Sequence, residues 1–369
     1  MSRNPTDQER STLVNERPTH NLYVGGQYVE TGDGTHTMAG QCHVHRLGAG
    51  LPGRPPIVMI HGAAQTSAAF METPDGRPGL AELLAAQGHA VYLMDQPGIG
   101  RSRYYEPLHG PLTHHSAELL QWAFTATADH DGWPQSKLHN QWPGTGRIGD
   151  PVFDTFYAGQ VGHLADAATS ETVTRAAGAA LLDRIGPACL LTHSQSGPLG
   201  WHIADQRPDL VRAIVALEPK GPPFRDITGA GSRGPVIRPY GITATPLTYG
   251  TESGEPADPA GPTDPEQRAP RPLVNLAHVP VLLVTGEASY HATYDHLTAD
   301  YLQRAGVPVT HAPLAEHGIR GNGHLMAMEL NNDRIAQFIS RWLHRTDTFQ
   351  LPMPRPAPAE DGPPDALLT

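Results

Sequence analysis

From residue 55 onward the chain alternates short, continuous apolar runs with segments of helical period. The runs "PPIVMI" (55–60), "HAVYLM" (89–94), "PACLLT" (187–192), "VRAIVAL" (211–217) and "VPVLLVT" (279–285) are rich in Val, Ile and Leu. They do not alternate with polar residues, which predicts strands buried on both faces. "VPVTHAP" (307–313) predicts one more strand. Between the runs, "GLAELLAAQG" (79–88), "TSETVTRAAGAALLDRIG" (169–186), the segment after Gly197, "YDHLTADYLQRAG" (294–306) and "NDRIAQFISRWLHR" (332–345) predict helices. Several stop at glycine. Strands alternating with helices predict an α/β fold, a mostly parallel central sheet with helices on both faces. Ahead of it, "LYVGGQYVE" (22–30) reads as two short strands turned by Gly25-Gly26, and "TMAGQCHVHRLG" (37–48) as another strand.

Two irregular stretches break the rhythm, at about 103–165 and 220–272. They follow the second and fourth parallel strands and are expected to build a cap where open α/β sheets bind ligands. The domain is expected over 21–348, after a flexible lead-in (1–20) and before a Pro-rich, disordered tail (349–369).

The strand "PACLLTH" runs into "SQSGPLG", so two serines stand where a strand meets a helix. A strained strand-to-helix turn can expose a serine as a nucleophile, provided the residues two before and two after it are small. Around Ser194 these are Thr192 and Ser196; around Ser196 they are Ser194 and Pro198, whose ring crowds the turn. Ser194 is therefore the candidate, against the ordinary reading of a helix N-cap serine. His61-Gly62 closes the first buried strand, and its loop could supply one backbone N–H of an oxyanion hole, at Ala63, with the other from Gln195. A base must come from late in the chain. His324 in "GNGH", just ahead of an apolar segment, is preferred to His317. For the acid, the customary slot after the next strand but one holds Ser289, with Glu287 close by. Glu218 instead closes the apolar strand "AIVAL", where an unpartnered carboxylate is costly. The ranking is Glu218, Glu287, Asp295. A glutamate partner is expected to raise the base above the ordinary histidine pKa, near 6.5.

Taken together, "HGAAQTSAAFMETPDGRPGLAELL", "DQPGIGRS", "THSQSGP", "VALEP" and "GNGHLMAMELNND" resemble the α/β-hydrolase superfamily. More narrowly they resemble bacterial and fungal esterases with an H-S-Q-S-G elbow and a glutamate acid after the sixth strand. The resemblance covers roughly 55–102 and 185–345, and the two elbow glycines of G-x-S-x-G are missing. It implies Ser194 as nucleophile, Glu218 as acid, His324 as base, and Ala63 and Gln195 as oxyanion donors. The implied reaction is hydrolysis of a carboxylic ester or lactone. The alternatives are non-hydrolytic acyl transfer or lyase chemistry on the same fold, or a ligand-binding protein with a vestigial triad.

Composition narrows the partners. A formal charge of −11 argues against nucleic acid or an anionic membrane. Two cysteines, Cys42 and Cys189, form no disulfide framework. With a polar N-terminus they carry the expectation of a cytoplasmic protein. No cofactor or metal is expected: "GIGRSR" has Arg103 where a dinucleotide motif needs glycine, and no HExxH stands anywhere. The substrate is expected to be a small apolar or aromatic ester or lactone. Tyr104, Trp142, Phe156, Tyr157, Phe224 and Tyr240 are the pocket candidates; Trp122, Phe124, Phe153 and Tyr249 stand in the same insertions. A homodimer is left open.

Overall fold

The computed structural model describes residues 19–228, 232–250, 256–257 and 270–346. The expected tail over 349–369, all but the end of the lead-in over 1–20, and part of the insertion at 220–272 lie outside the described residues.

Eight strands form one sheet: β1 (His20–Glu30), β2 (His36–Leu47), β3 (Ile57–Ile60), β4 (Val91–Met94), β5 (Ala188–His193), β6 (Val211–Leu217), β7 (Val281–Thr285) and β8 (Val309–Pro313). Their order is β1-β2-β4-β3-β5-β6-β7-β8. β2 pairs antiparallel with β1 and β4, and every other pair is parallel. The α-helices longer than four residues are α1 (Leu80–Ala86), α2 (Pro151–Ala158), α3 (Ala167–Ile185), α4 (Ser196–Gln206), α5 (Asp295–Arg304) and α6 (Asn332–Thr346).

The continuous apolar runs have the expected cause. In β5, Leu190 joins a core shared with α3, α4 and α5, while Leu191 joins a second core with α1 and α6. Each central strand is thus covered on both faces, and alternation has nothing to report. Cys42 and Cys189 are both buried, one in each core.

One expected turn is absent. Gly25 and Gly26 do not reverse the chain; β1 runs through them, with Gly25 opposite Gln41 and Gln27 opposite Ala39. Their positive φ, 67° and 78°, is spent on close approach: a Cβ on Gly26 would lie 2.8 Å from Gln41, and one on Gly25 3.2 Å from Ala177 of α3. The reversal comes later, where Thr31 N–H donates to Thr35 O at 3.0 Å.

The first insertion packs on itself. Leu120, Trp142, Phe153 and Phe156 form a small core that also takes Leu325 and Met328. In the second, Ile242, Leu247 and Tyr249 join the main core beside α3 and α4.

Candidate active site

Strand register assembles the site. Ile60 pairs with Thr192, His193 with Leu217, and Leu217 with Val284. The residues just past these pairs (Gly62, Ser194, Glu218 and Gly286) therefore sit side by side along one edge of the sheet. Backbone bonds carry the alignment past the strand ends. Ser194 N–H donates to Leu217 O and Glu218 N–H to Val284 O, both at 3.0 Å, and Lys220 N–H returns to Ser194 O at 2.8 Å.

Ser194 and Glu218 both sit at positive φ, 57° and 44°. Such a conformation is costly for side chains with a Cβ and persists where the surroundings impose it. Around Ser194 the imposition is close packing. A Cβ on Gly197 would lie 2.5 Å from Pro219, and one on Gly200 2.7 Å from Thr192. The glycines that this turn needs are therefore Gly197 and Gly200, inside α4, while small Thr192 and Ser196 fill the usual glycine positions. Ser196 is buried, and its hydroxyl donates to Ile60 O at 2.7 Å and accepts from His193 N–H at 2.8 Å. It ties β5 to β3. Ser194 is half-buried and its hydroxyl bonds nothing among the described residues.

Glu218 is fully buried. Its Oε1 accepts from Gly286 N–H at 2.7 Å, and its Oε2 accepts from Ser289 Oγ at 2.7 Å and from His324 Nδ1 at 2.5 Å. The serine in the customary acid slot thus serves the glutamate beside it. Protonated at Nδ1, His324 keeps Nε2 as an acceptor. The other candidates face elsewhere. Glu287 binds Arg320 at 2.7 Å and Gly321 N–H at 2.9 Å. Asp295 binds His291 Nδ1 and Thr285 Oγ1, each at 2.8 Å. His317 is exposed, against Phe338.

The electrostatics run against one expectation. Burial pushes the His324 imidazole well below the ordinary range, and the neighbouring His193 and His291 push the same way. Rings surround it: His291 stacks at 4.8 Å, Phe124 at 5.0 Å, and His193 lies at 4.7 Å. Burial likewise pushes the Glu218 carboxyl up, aided by the charge of Asp295. Desolvation outweighs the raising effect expected of the glutamate, so His324 is held neutral. His193, pushed down to about 4 by burial, donates Nε2–H to His324 O at 2.9 Å and pins the histidine loop.

On the far side of Ser194, neither Ala63 nor Gln195 uses its N–H in a hydrogen bond among the described residues. The Gln195 side chain is held by Gln96 at 3.1 Å and Ser170 at 3.0 Å. Gln96 also binds His61 O at 2.7 Å, so one side chain links both loops. Glu218, His291 and His324 bring ligand-type atoms within 4.8 Å of one another. The carboxylate oxygens, His324 Nδ1 and His291 Nδ1 are already committed to hydrogen bonds, as described above. The donor set reads as a proton network rather than a metal centre.

A family model described as the alpha/beta hydrolase fold matches residues 55–234. A curated relative, "Probable secreted lipase phiG" from Fungal sp. (strain ATCC 74256), is 44% identical over 337 residues, 88% of this chain and 89% of that protein. The chain belongs to the α/β-hydrolase family. A solved structure titled as that of a novel bacterial esterase matches with a TM-score of 0.57 at 21% identity, over 89% of this chain and 96% of that one, and agrees in fold.

In this α/β hydrolase, Ser194, His324, Ala63 and Gln195 all line one cavity of about 1130 Å³. Of the six aromatic candidates only Phe156 lines it. Trp142 is buried against Phe156 in the cap's own core. Tyr104 lies outside, its hydroxyl on Gly110 O at 2.6 Å, and Tyr157 stacks on Phe153. Phe224 packs edge-on against Tyr301, and Tyr240 packs on the main core. The aromatic wall is instead Trp122, Phe124, Trp133, Tyr290 and Tyr294. Trp122 and Phe124 reach it from a widened π-turn, Gln121–Thr125, and Trp133 is fixed by donating Nε1–H to Ala288 O at 2.8 Å. Sequence reasoning missed Trp133, Tyr290 and Tyr294; for the two tyrosines, "SYHATY" (289–294), in the loop after β7, was the available signal.

Proposed function

We propose that the protein is a serine carboxylic-ester hydrolase of the H-S-Q-S-G subgroup, with His193 to Gly197 as the elbow. Its triad is Ser194, His324 and Glu218, and its oxyanion donors are the N–H groups of Ala63 and Gln195. The observation that carries the reading is the 2.5 Å bond from His324 Nδ1 to buried Glu218, at the cavity that Ser194 lines from a left-handed turn. The names of the fungal lipase and the bacterial esterase support ester chemistry.

In this mechanism Ser194 Oγ attacks the ester carbonyl carbon while its proton passes to His324 Nε2. Glu218 holds the ring in the tautomer with Nδ1–H and stabilises the imidazolium. The two backbone N–H groups take the charge that builds on the carbonyl oxygen. The intermediate collapses, the alcohol leaves with the proton from Nε2, and the acyl group stays on Ser194. Water then gives a proton to His324 and attacks the acyl carbon, and collapse returns the proton to Ser194. The fungal relative's name calls that protein secreted; for this chain we keep the cytoplasmic expectation, which cell fractionation measures.

A fluorophosphonate, located by peptide mass, is expected on Ser194. Ser194→Ala should lower kcat on a short nitrophenyl ester by roughly 10⁴–10⁶-fold. Ser196→Ala should cost mainly stability, about 1–3 kcal/mol, because it strands His193 N–H and Ile60 O. A label on Ser196, or turnover kept by Ser194→Ala, overturns the proposal. Stoichiometric acylation without turnover would favour non-hydrolytic acyl transfer.

A further inference from the structure

We infer that the cavity is built for an ester that carries a carboxylate, received at the wall formed by Lys220, His115 and His163. The inference rests on the ester-hydrolase reading of this cavity and names its substrate class.

Lys220 belongs to the nucleophile turn, since its N–H donates to Ser194 O at 2.8 Å. Its side chain is exposed and lines the cavity. Among the described residues its ammonium meets no carboxylate and no hydrogen-bond acceptor. The other charged groups of the lining are committed. Glu171 accepts from His202 at 3.0 Å, Ala244 N–H at 2.8 Å and Thr245 N–H at 2.6 Å. Asp226 pairs with Arg238 at 3.0 Å, and the guanidinium also binds Pro222 O at 2.6 Å and Arg225 O at 2.7 Å. One uncommitted positive charge therefore faces the cavity of a protein whose net charge is −11.

The neighbours of Lys220 suit the same ligand. The His115 and His163 rings lie 4.8 Å apart, and both line the cavity. Nδ1 of His163 is buried and without a partner among the described residues. Both imidazoles feel the Lys220 charge: with burial leading, it helps push His115 down and His163 to about 4. A carboxylate placed here pairs with that charge, and the N–H of either neutral imidazole can donate to it. The lining also carries an apolar set, with Leu119, Leu120, Trp122, Phe124, Trp133 and Phe156. An apolar ester ending in a carboxylate fits this division.

The test compares 4-nitrophenyl monoesters of glutaric, adipic and suberic acids with neutral nitrophenyl esters of equal acyl length. For at least one length, kcat/KM should favour the anionic ester by about fivefold or more at low salt, the size expected of a partly solvated ion pair, and less near molar salt. Lys220→Met should lower that ratio about fivefold, and Lys220→Glu should invert it. A ratio at or below one for every length, or one that Lys220→Met leaves in place, overturns the inference while leaving hydrolysis intact. Calorimetry on Ser194→Ala separates the two readings. If the native enzyme turns over neither ester but Ser194→Ala still binds the monoester more tightly, the anion site stands and the hydrolase reading falls.

Discussion

At the scale of single residues, the pair Glu218–His324 decides how the site answers pH. The working base is the neutral imidazole, and burial, with His193 and His291, holds its pKa below the ordinary value. A base with a depressed pKa stays unprotonated over more of the acid range. Activity should therefore be lost only as pH falls through that lowered pKa, and kcat/KM should drop with a slope of one at a midpoint below about 6.5. A midpoint above it would mean that the Glu218 charge, not burial, governs the ring. Glu218→Gln removes the charge that stabilises the imidazolium and should cost about 10³–10⁴-fold in kcat. Glu287→Gln removes the charge of a pair with exposed Arg320, keeps an amide oxygen that can accept from Gly321 N–H, and should stay within about threefold, as a surface ion pair would. Near-normal kcat in Glu218→Gln would move the acid elsewhere. The carboxylate at an apolar strand tip could be noticed in the sequence, since burial without a partner is costly. The sign of the histidine shift could not. It comes from Phe124, His193, His291 and Tyr290, which chain folding alone brings around one ring.

At the scale of elements, the strands were legible because each apolar run is buried on both faces, and their tips follow from parallel register. What holds the histidine loop was not legible. Buried Glu329 accepts from Gly323 N–H at 2.9 Å, Asn322 Nδ2 at 2.7 Å and His139 Nε2 at 2.8 Å. His139 belongs to the first insertion, and Asn140 N–H adds a bond to Gly321 O at 3.1 Å. The cap is thus a brace for the catalytic histidine proposed here as well as a roof. Glu329→Ala strands three buried donors and should lower stability by about 2–4 kcal/mol, read by chemical denaturation. It should lower kcat as well, because His324 follows directly on Gly323. His139→Phe removes one donor while keeping an apolar ring, so it should cost less on both measures. If Glu329→Ala lost stability but kept full kcat, the brace would be structural only. The Gly25-Gly26 pair shows the opposite failure. Its composition signals a turn, yet Gly25 is required by a crossing over Ala177 far along the chain and Gly26 by its approach to Gln41 of β2.

At the scale of the whole molecule, the sheet and its helices supply rigid strand tips, and the insertions supply the cavity walls. The tips were readable because burial on two faces leaves a composition signal. The walls were not, because an aromatic residue in an insertion serves the cap's own core as readily as the cavity. Trp142 and Phe153 took the first role and Trp122 the second, while Phe124 and Phe156 pack on the cap core and line the cavity as well. The division makes an experiment on substrate choice. Phe124 stacks on His324 at 5.0 Å and lines the cavity, so its ring touches both the base and the space for the acyl or alcohol group. Phe124→Ala should lower kcat/KM for a phenyl-bearing ester about tenfold, through lost aromatic contact and burial. The loss on an acetate ester should be smaller. Tyr104→Ala, which removes a ring outside the cavity, should leave both within about twofold, as surface substitutions do. The acid limb of the pH profile provides a second reading. Phe124 helps desolvate His324, so its loss should let the imidazole pKa rise toward the ordinary value and move the midpoint upward. Equal losses on both esters with an unmoved midpoint would place Phe124 in the cap's packing and leave the aromatic preference to Trp122 and Trp133.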